Sequence, residues 1–575
     1  MRVAIASIAF GAICLVLGAG PGGAQNPPVP APTGPVNPPA PTPTPLAAPP
    51  ATPSASPAAS PPPGANAPAP VSPPPAGTPI AVPTTSAAPV PIIADPPALG
   101  VSPGGTTSLR VTGVYGSLVA KLADATVAAI NAVDQNARTV VVAGLAPGAT
   151  TLTLSDDRGQ TRDVPLRVAY VAGNLADETS IRITGNPASG RFVQNAAALA
   201  ATRAARLRPG ANVAIDPGAV QGAKDLPVGD LLAVSVPLQI NGAEYFSALG
   251  STRVKLENVA LPRIRPSQLL VSDYPEQLKE NGVLFTAQLD RRAPQRFLYY
   301  HYNPPGSPER RIILRAENPS KAPALVQFIS GEAGPEPNEM EVGHLSTLRF
   351  LVREAQNEGL VLTIPPNSSV NLVDQRMPPQ NVVSNLLQLR EVEGDPIKLT
   401  LVAQDANEPA DKPISSTDLL ESDVKHARGV YRVPEFYFDY VYYVDSNEPL
   451  EIPIGQLPLP NLREGQALAG DYGVMQSVTV TIVNPTDYPA PIALYQNPRG
   501  GRATGTYLID RTLVQSHAAQ PFSKFKLRQY RVPPHATFRV SIVTMPKGGS
   551  SYPVRLIFAP DDGSVSPGAP GSPVY

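Results

Sequence analysis

Cysteine is nearly missing from this chain of 575 residues, which has one, and tryptophan is absent. The one cysteine, Cys14, falls in an N-terminal apolar stretch, so the rest of the chain can form no disulfide and offers no thiolate. It must hold together by core burial alone. Net charge is lacking as well, since 45 Lys and Arg stand against 46 Asp and Glu. A nucleic-acid binder draws most of its affinity from a basic excess, so that partner class is excluded. Histidine is scarce, at His301, His344, His426, His517 and His535. No two of these are spaced i, i+4, the interval that aims both rings at one metal ion. No nucleophile elbow, phosphate loop or calcium loop is read in the chain. The expectation is a protein that is not an enzyme, with no cofactor, no metal and no catalytic set.

What the chain does have is proline and glycine, 73 and 45 residues, about a fifth of the total. Arg2, the apolar run from Val3 to Gly20 and small residues up to Ala24 read as a signal peptide over 1–24. An uncleaved anchor is the alternative, because 3–20 nearly reaches membrane-spanning length. Ile13 directly before Cys14 argues against lipid attachment. No later stretch is apolar enough to span a bilayer, so the protein is expected to be exported, to periplasm, cell surface or medium. It would touch membrane only through the N-terminal segment. Residues 25–95, almost without charge, cannot bury enough apolar surface to order themselves and read as a Pro/Ala-rich disordered linker.

From there the pattern becomes mainly β and multidomain. Residues 96–172 alternate or run β-branched in six or seven short stretches, among them "TVVVAGL", "TTLTLS" and "VPLRVAYV", with turn signals at Gly-Leu-Ala-Pro-Gly and Asp-Asp-Arg-Gly. This predicts an Ig-like β-sandwich. Residues 173–262 predict a small α+β domain: Ser189 as cap, an Ala-rich helix, a stop at Pro209-Gly210, then "LLAVSVPLQI" and "STRVKLENVAL" as strands.

The order "SLRV…ATVAAINAVDQNARTVVVAGLAPGATTLTLSDDRGQ" resembles the N-terminal domain of pilus-formation proteins that accompany secretins. The matching positions are Gly144, Pro147, Gly148, Thr150, Thr151, Leu152, Asp156 and Gly159. Bacterial Ig-like repeats of surface adhesins carry a similar pattern. The resemblance implies an interaction module of the cell envelope, with envelope, pilus or secretion proteins as partners. It covers 96–172 alone, and nothing after it resembles a secretin channel.

The remainder repeats itself. "IPPNSSVNLVDQRMP" from Ile364 returns as "VPPHATFRVSIVTMP" from Val532, and "ENPSKAPALVQF" around Asn318 returns as "VNPTDYPAPIAL" around Asn484. "PIKLTLVAQD" from Pro396 is matched to "PVRLIFAPDD" from Pro553, and the aromatic strands "RFLYYHYN" and "EFYFDYVYYVD" are read as opening the copies. The prediction is a duplicated β-sandwich over 263–405 and 430–560, joined by a helical connector over 406–429 with Gly429 as its stop, and a flexible tail over 561–575. In each copy Asn-Pro-Ser/Thr would form a hairpin turn. The copies differ between the two motifs, where "GHLSTLRFLVREAQNEG" reads as helix and "GTYLIDRTLVQ" as strand. Such divergent insertions usually carry partner specificity.

Two surfaces stand out. Lys524, Lys526, Arg528 and Tyr530 alternate along "FSKFKLRQYRV" and would share one face, open to a glycan or an acidic partner. The Tyr-rich strands at 297–302 and 436–443 could stack on sugars. Glu339, Glu341 and His344 are the best local acid–histidine cluster, read as a solvated loop before a helix. The expected role is structural or assembly work through protein contacts, linked to pili or secretion. The alternative is an adhesin-like surface protein that binds glycan or another extracellular ligand.

Overall fold

The structure, a computed structural model, describes residues 90–273, 276–289, 293–413, 419–421, 426–463 and 465–564. The expected signal segment, the linker up to residue 89 and the tail beyond Ser564 lie outside these residues. Residues 88–575 make one compact unit, and the fold below is that of its described part. It is mainly β, with two α-helices among the described residues. No described helix is long and apolar enough to cross a membrane.

The first domain is a sandwich of eight strands: β1 (Ile93–Asp95), β2 (Leu99–Val101), β3 (Thr106–Thr112), β4 (Val119–Leu122), β5 (Ala128–Asp134), β6 (Thr139–Gly144), β7 (Gly148–Ser155) and β8 (Thr161–Val168). One sheet runs β1-β3-β6-β5 and the other β2-β8-β7-β4. Alternation puts Leu109, Val111, Val140 and Val142 of one sheet against Leu152, Leu154, Val164 and Leu166 of the other. The chain is ordered into β1 before residue 96, because Ile92 and Ala94 enter this core. The "SDDRGQ" stretch is a turn: Asp156 accepts from the backbone N–H groups of Tyr115, Arg158 and Gln160, and Gly159 sits at φ 77°.

The next segment holds β9 (Gly173–Asn174), β10 (Glu178–Thr184), α1 (Gly190–Ala204), β11 (Arg206–Leu207), β12 (Asn212–Ile215), β13 (Leu231–Asn241) and β14 (Ala248–Asn258). Ser189 caps α1, accepting from the Phe192 N–H. The helix ends at Ala204, ahead of the expected Pro-Gly stop, because the chain leaves it to pair β11 with β9. The first copy follows: β15 (Gln268–Ser272), β16 (Gly282–Leu289), β17 (Gln295–Asn303), β18 (Arg310–Asn318), β19 (Ala324–Ser330), β20 (Ala333–Glu336), α2 (Glu339–Ala355), β21 (Gly359–Ile364), β22 (Ser368–Met377), β23 (Asn381–Glu393) and β24 (Ile397–Asp405).

Residues 173–262 do not form a domain of their own. β10 pairs with β14 on one side and with β21 on the other, which fuses both segments into one eleven-stranded sheet. One core cluster runs through them, from Ile181 and Val193 to Phe297 and Leu387. The small α1 face of Ala196, Ala197 and Ala201 offers too little area to close a core alone, so the neighbouring sheet supplies the rest. The second sheet of the first copy is β16-β24-β18-β22.

The last part contains β25 (Arg428–Tyr431), β26 (Glu435–Tyr443), β27 (Leu450–Ile454), β28 (Met475–Val483), β29 (Ala490–Pro498), β30 (Ala503–Ile509), β31 (Thr512–Ala519), β32 (Phe525–Val532), β33 (Thr537–Thr544) and β34 (Val554–Pro560). β26-β28-β33-β30-β31 faces β27-β34-β29-β32 across an aliphatic and aromatic core. Of the expected helical connector over 406–429, residues 414–418 and 422–425 lie outside the described residues, and the described ones before Arg428 form turns, bends and a bridge, with no helix among them. Its end, however, is strand: Gly429 lies in β25, which extends the large sheet beside β15. Arg296, fully buried, ties the two copies together by donating to the Pro434 carbonyl at 2.6 Å and to Glu435 at 3.0 Å. Phe350, Leu351, Met475 and Met545 pack around that joint.

The repeated sentence has a structural meaning. Asn318 donates from Nδ2 to the carbonyls of Ala322, Ile364 and Pro365, while Asn484 donates to those of Tyr488, Val532 and Pro533. Both amides are fully buried. Each Oδ1 accepts from the backbone N–H two residues on, at Ser320 and Thr486. After each Pro-Pro pair a residue is left-handed, Asn367 at φ 48° and His535 at φ 51°, and its N–H returns to Ser320 or Thr486. One buried Asn thus clasps the turn after one strand to the end of a strand in the opposite sheet, twice.

The other two matches fail in space. β24 lies beside β18, whereas β34 lies beside β29 in the opposite sheet, in the position that β23 holds in the first copy. Likewise β17 neighbours β23, but β26 neighbours β28. Similar alternation served strands in different layers.

Candidate functional site

The two clasps bracket the two divergent insertions. Between β19 and β21 the first copy inserts β20 and α2; between β29 and β32 the second inserts the hairpin β30–β31. Asn338 caps α2 by accepting from the Glu341 N–H, and acidic Glu339 and Glu341 in the first turn suit the positive helix end. The expected solvated loop is therefore the first turn of the helix. The β30–β31 hairpin turns on Asp510 and Arg511, at φ 49° and 67°. Two left-handed residues make the type I′ geometry that strand twist favours, normally built from Asn-Gly. Asp510 holds the turn by accepting from the Ser541 N–H at 2.9 Å.

These insertions face each other across a cleft of about 2280 Å³. Leu345, Leu348 and Val352 of α2 line one wall; Leu508 and Leu513 of the hairpin line the other. At its base His344 and Lys547 are both buried. His344 donates from Nε2 to Gln515 Oε1 at 2.8 Å, so its Nδ1 accepts, from Lys547 Nζ at 2.7 Å. Lys547 also donates to Thr506 Oγ1 at 3.0 Å. Burial, then the adjacent ammonium, pushes the imidazole down to about 3, which keeps it neutral. Burial likewise pulls Lys547 well below its ordinary value, with Glu341 opposing. This is a structural lock between α2 and the second sandwich.

The cleft is cationic above that base. Arg263, Arg349, Arg502, Arg511 and Arg528 line it, and Glu341 is the one carboxylate among its lining residues. Arg263 is spent on Glu354, with 2.5 Å contacts, and Arg349 donates to the Glu332 carbonyl. Arg502 and Arg511 are exposed and have no acidic partner among the described residues.

The basic strand face expected on β32 is not assembled. A register shift against β29, between Leu494 and Tyr495, breaks the alternation. Lys526 is buried and ion-paired to Asp561 at 2.5 Å, and its ammonium also reaches the Ser564 carbonyl, so the start of the expected flexible tail is tied down. Arg528 donates to the Ile509 carbonyl at 2.7 Å, Tyr530 enters the sandwich core, and Lys524 alone is left exposed. Among the described residues no three His, Asp or Glu side chains are grouped to hold a metal. One string, Gly100 to Gly104, does match the Gly-x-Ser-x-Gly pattern, but it joins strand β2 to strand β3 and no helix follows it. Sequence reading missed Lys547, Thr506, Arg502 and Arg511, which are scattered along the chain and belong to no motif. The two-residue turn in "TYLIDRTLV" was the available signal for the hairpin.

The sequence matches no family model and no curated protein. Among solved structures, domains 5–6 of the S-layer protein SbsC are 13% identical over 29% of this chain and 97% of that one, with a TM-score of 0.13. The human desmocollin-1 ectodomain is 12% identical over 31% and 38%, at 0.12. A Bacteroides ovatus mixed-linkage glucan utilization protein, in complex with a heptasaccharide, is 11% identical over 53% and 73%, also at 0.12. Likeness this slight leaves function to be argued from the residues themselves.

Proposed function

We infer that this chain is an exported multidomain β-sandwich protein that works by binding an extracellular ligand and not by catalysis, with the cleft between α2 and β30–β31 as its site. The observation that carries this reading is the meeting of the two divergent insertions: the duplicated scaffold is held by identical clasps, while the parts that differ line one apolar cleft with a cationic rim. Two positions of the resemblance to pilus-formation domains, Asp156 and Gly159, form the turn between β7 and β8. Envelope assembly stays a matter of which ligand the cleft holds.

A second reading has its own observation. On the outer face of edge strand β26, Tyr437, Val441 and Tyr443 are each about half exposed, at 51, 54 and 53%. Thr479 and Thr481 sit opposite Asp439 and Val441 on β28. The Arg265 guanidinium covers the Tyr437 ring at 4.6 Å, so the Tyr443 ring and the threonine hydroxyls are what would suit a neutral glycan on this sheet.

The chain's one cysteine, Cys14, precedes the described fold, so a single-cysteine reporter is practical. An environment-sensitive dye at Thr512→Cys in the cleft, with controls at Tyr443→Cys and at Leu231→Cys on a distant strand, is titrated with extracellular protein and polysaccharide fractions. A response at 512 alone supports the cleft. A response at 443 alone transfers the function to the β26 face, and silence at both removes the binding reading.

A further inference from the structure

The chemistry of the cleft narrows its occupant. β31 ends its sheet: among the described residues it pairs with β30 and with no other strand. Its outward Gln515, held by His344, and its inward Ser516, bonded to Gln496, both line the cleft, as do Leu513 and Val514. Residues from both faces of one strand line a single space only where that space runs along the strand's edge. The edge backbone N–H and C=O groups therefore open into the cleft, a template for another extended chain.

Two further features set the class of ligand. The lining residues include no Phe or Tyr, so a sugar ring would find no stacking surface there. What they supply instead is aliphatic, with Leu345 and Leu348 facing Leu513. The charge at the mouth is positive, from Arg502 and Arg511, both exposed and without an acid partner among the described residues. Arg511 is held at φ 67°, a conformation that bulky residues rarely adopt, and the hairpin keeps it at the tip where the edge begins.

We propose that the cleft takes an extended acidic polypeptide segment, which adds to β31 as a sixth strand, presents alternate aliphatic side chains to α2 and pairs its carboxylates with Arg502 and Arg511. The proposal rests on the cleft being the binding site, as argued above, and adds the class of ligand and its mode of docking.

The test uses the full chain with three probes: a peptide of alternating Asp and Val as long as β31, its Lys-Val counterpart, and polygalacturonate. The Asp-Val peptide should bind, the Lys-Val peptide should not, and amide exchange over 512–518 should slow on binding. Arg502→Glu with Arg511→Glu, both surface changes, should weaken the Asp-Val peptide by about tenfold or more, the weight of one or two charge-assisted contacts. Polygalacturonate binding in place of the peptide would overturn the polypeptide class while leaving the cleft as the site. Peptide binding without protection of 512–518 would overturn strand addition. Failure of both peptides to bind overturns the proposal, and a silent dye at position 512 in every fraction would remove the site itself.

Discussion

The two copies of the sandwich agree where the chain turns and disagree where it is free to grow. Asn318 and Asn484 make the same three amide-to-carbonyl bonds, 166 positions apart, and each closes a turn against a Pro-Pro strand end. Between those fixed points one copy has a helix and the other a hairpin. A buried amide with all its partners placed tolerates little change, because each lost bond strands a buried carbonyl. An insertion packed on an outer face faces no such penalty. The lesson is that the clasps fix the scaffold while the insertions, aimed at each other, make the site.

The largest effect should come from breaking the joint that holds the copies in register. Arg296→Met removes a buried guanidinium and leaves Glu435 and the Pro434 carbonyl without it. Truncating one partner of a buried ion pair costs about 3–5 kcal/mol. The second sandwich has a core of its own, so calorimetry should show one unfolding transition becoming two. A single transition at an unchanged temperature would mean that the copies are not coupled through this residue.

Next come the clasps. Asn318→Ala and Asn484→Ala should each cost roughly 2 kcal/mol, since each leaves buried carbonyls unpaired. The double variant should lose the sum, because distant sites without shared partners add. If one substitution is silent while the other unfolds its copy, the two clasps are equal in geometry only.

How much of this was legible follows the same division. The turns at the clasps were visible because Asn-Pro-Ser/Thr and Pro-Pro impose local geometry, with Pro fixing φ and the Asn side chain bonding nearby backbone. The mainly β class and the helix after Ser189 were visible for the same local reason. Strand partners were not. The hairpins expected at the clasps do not form, since β18 and β19, like β28 and β29, lie in opposite sheets and do not pair. "PIKLTL" and "PVRLIF" alternate alike, yet β24 and β34 lie in opposite layers, since periodicity specifies a face and says nothing of the neighbour. The basic face on β32 failed at one irregularity, the register shift beside Tyr495, which sent Lys526 to Asp561 and Tyr530 to the core. The cleft was least legible of all. Its residues come from loops, a helix and a hairpin far apart in sequence, and only tertiary packing brings them together.

The joint should also carry a pH signature. Asp471 lies buried beside it with one oxygen unpaired, and burial pushes its carboxyl up from 3.8 to about 6. A raised carboxyl favours the protonated fold, so its contribution is present below the unfolded value near 3.8 and is lost as pH rises through about 6. Asp471→Asn removes that loss, and Asn suits the residue's left-handed backbone at φ 53°. The variant should be more stable than the parent by roughly 2 kcal/mol at pH 8 and equal to it below pH 4. A constant difference across pH would assign the gain to backbone conformation instead of charge.

The smallest effect separates stability from binding within one residue. Arg511 occupies φ 67° at the tip of the second copy's hairpin, where glycine would be relaxed. Arg511→Gly should therefore raise stability slightly, by about 0.5 kcal/mol, since strain relief is partly offset by the looser unfolded chain. The same change removes a cation from the mouth of the cleft, so affinity for an acidic peptide should fall. Thermal shifts and peptide titration on one preparation read both signs. A gain in stability with no loss of affinity would show the strained arginine to be a defect of the turn; opposite signs would show a conformation retained for its position at the edge of β31.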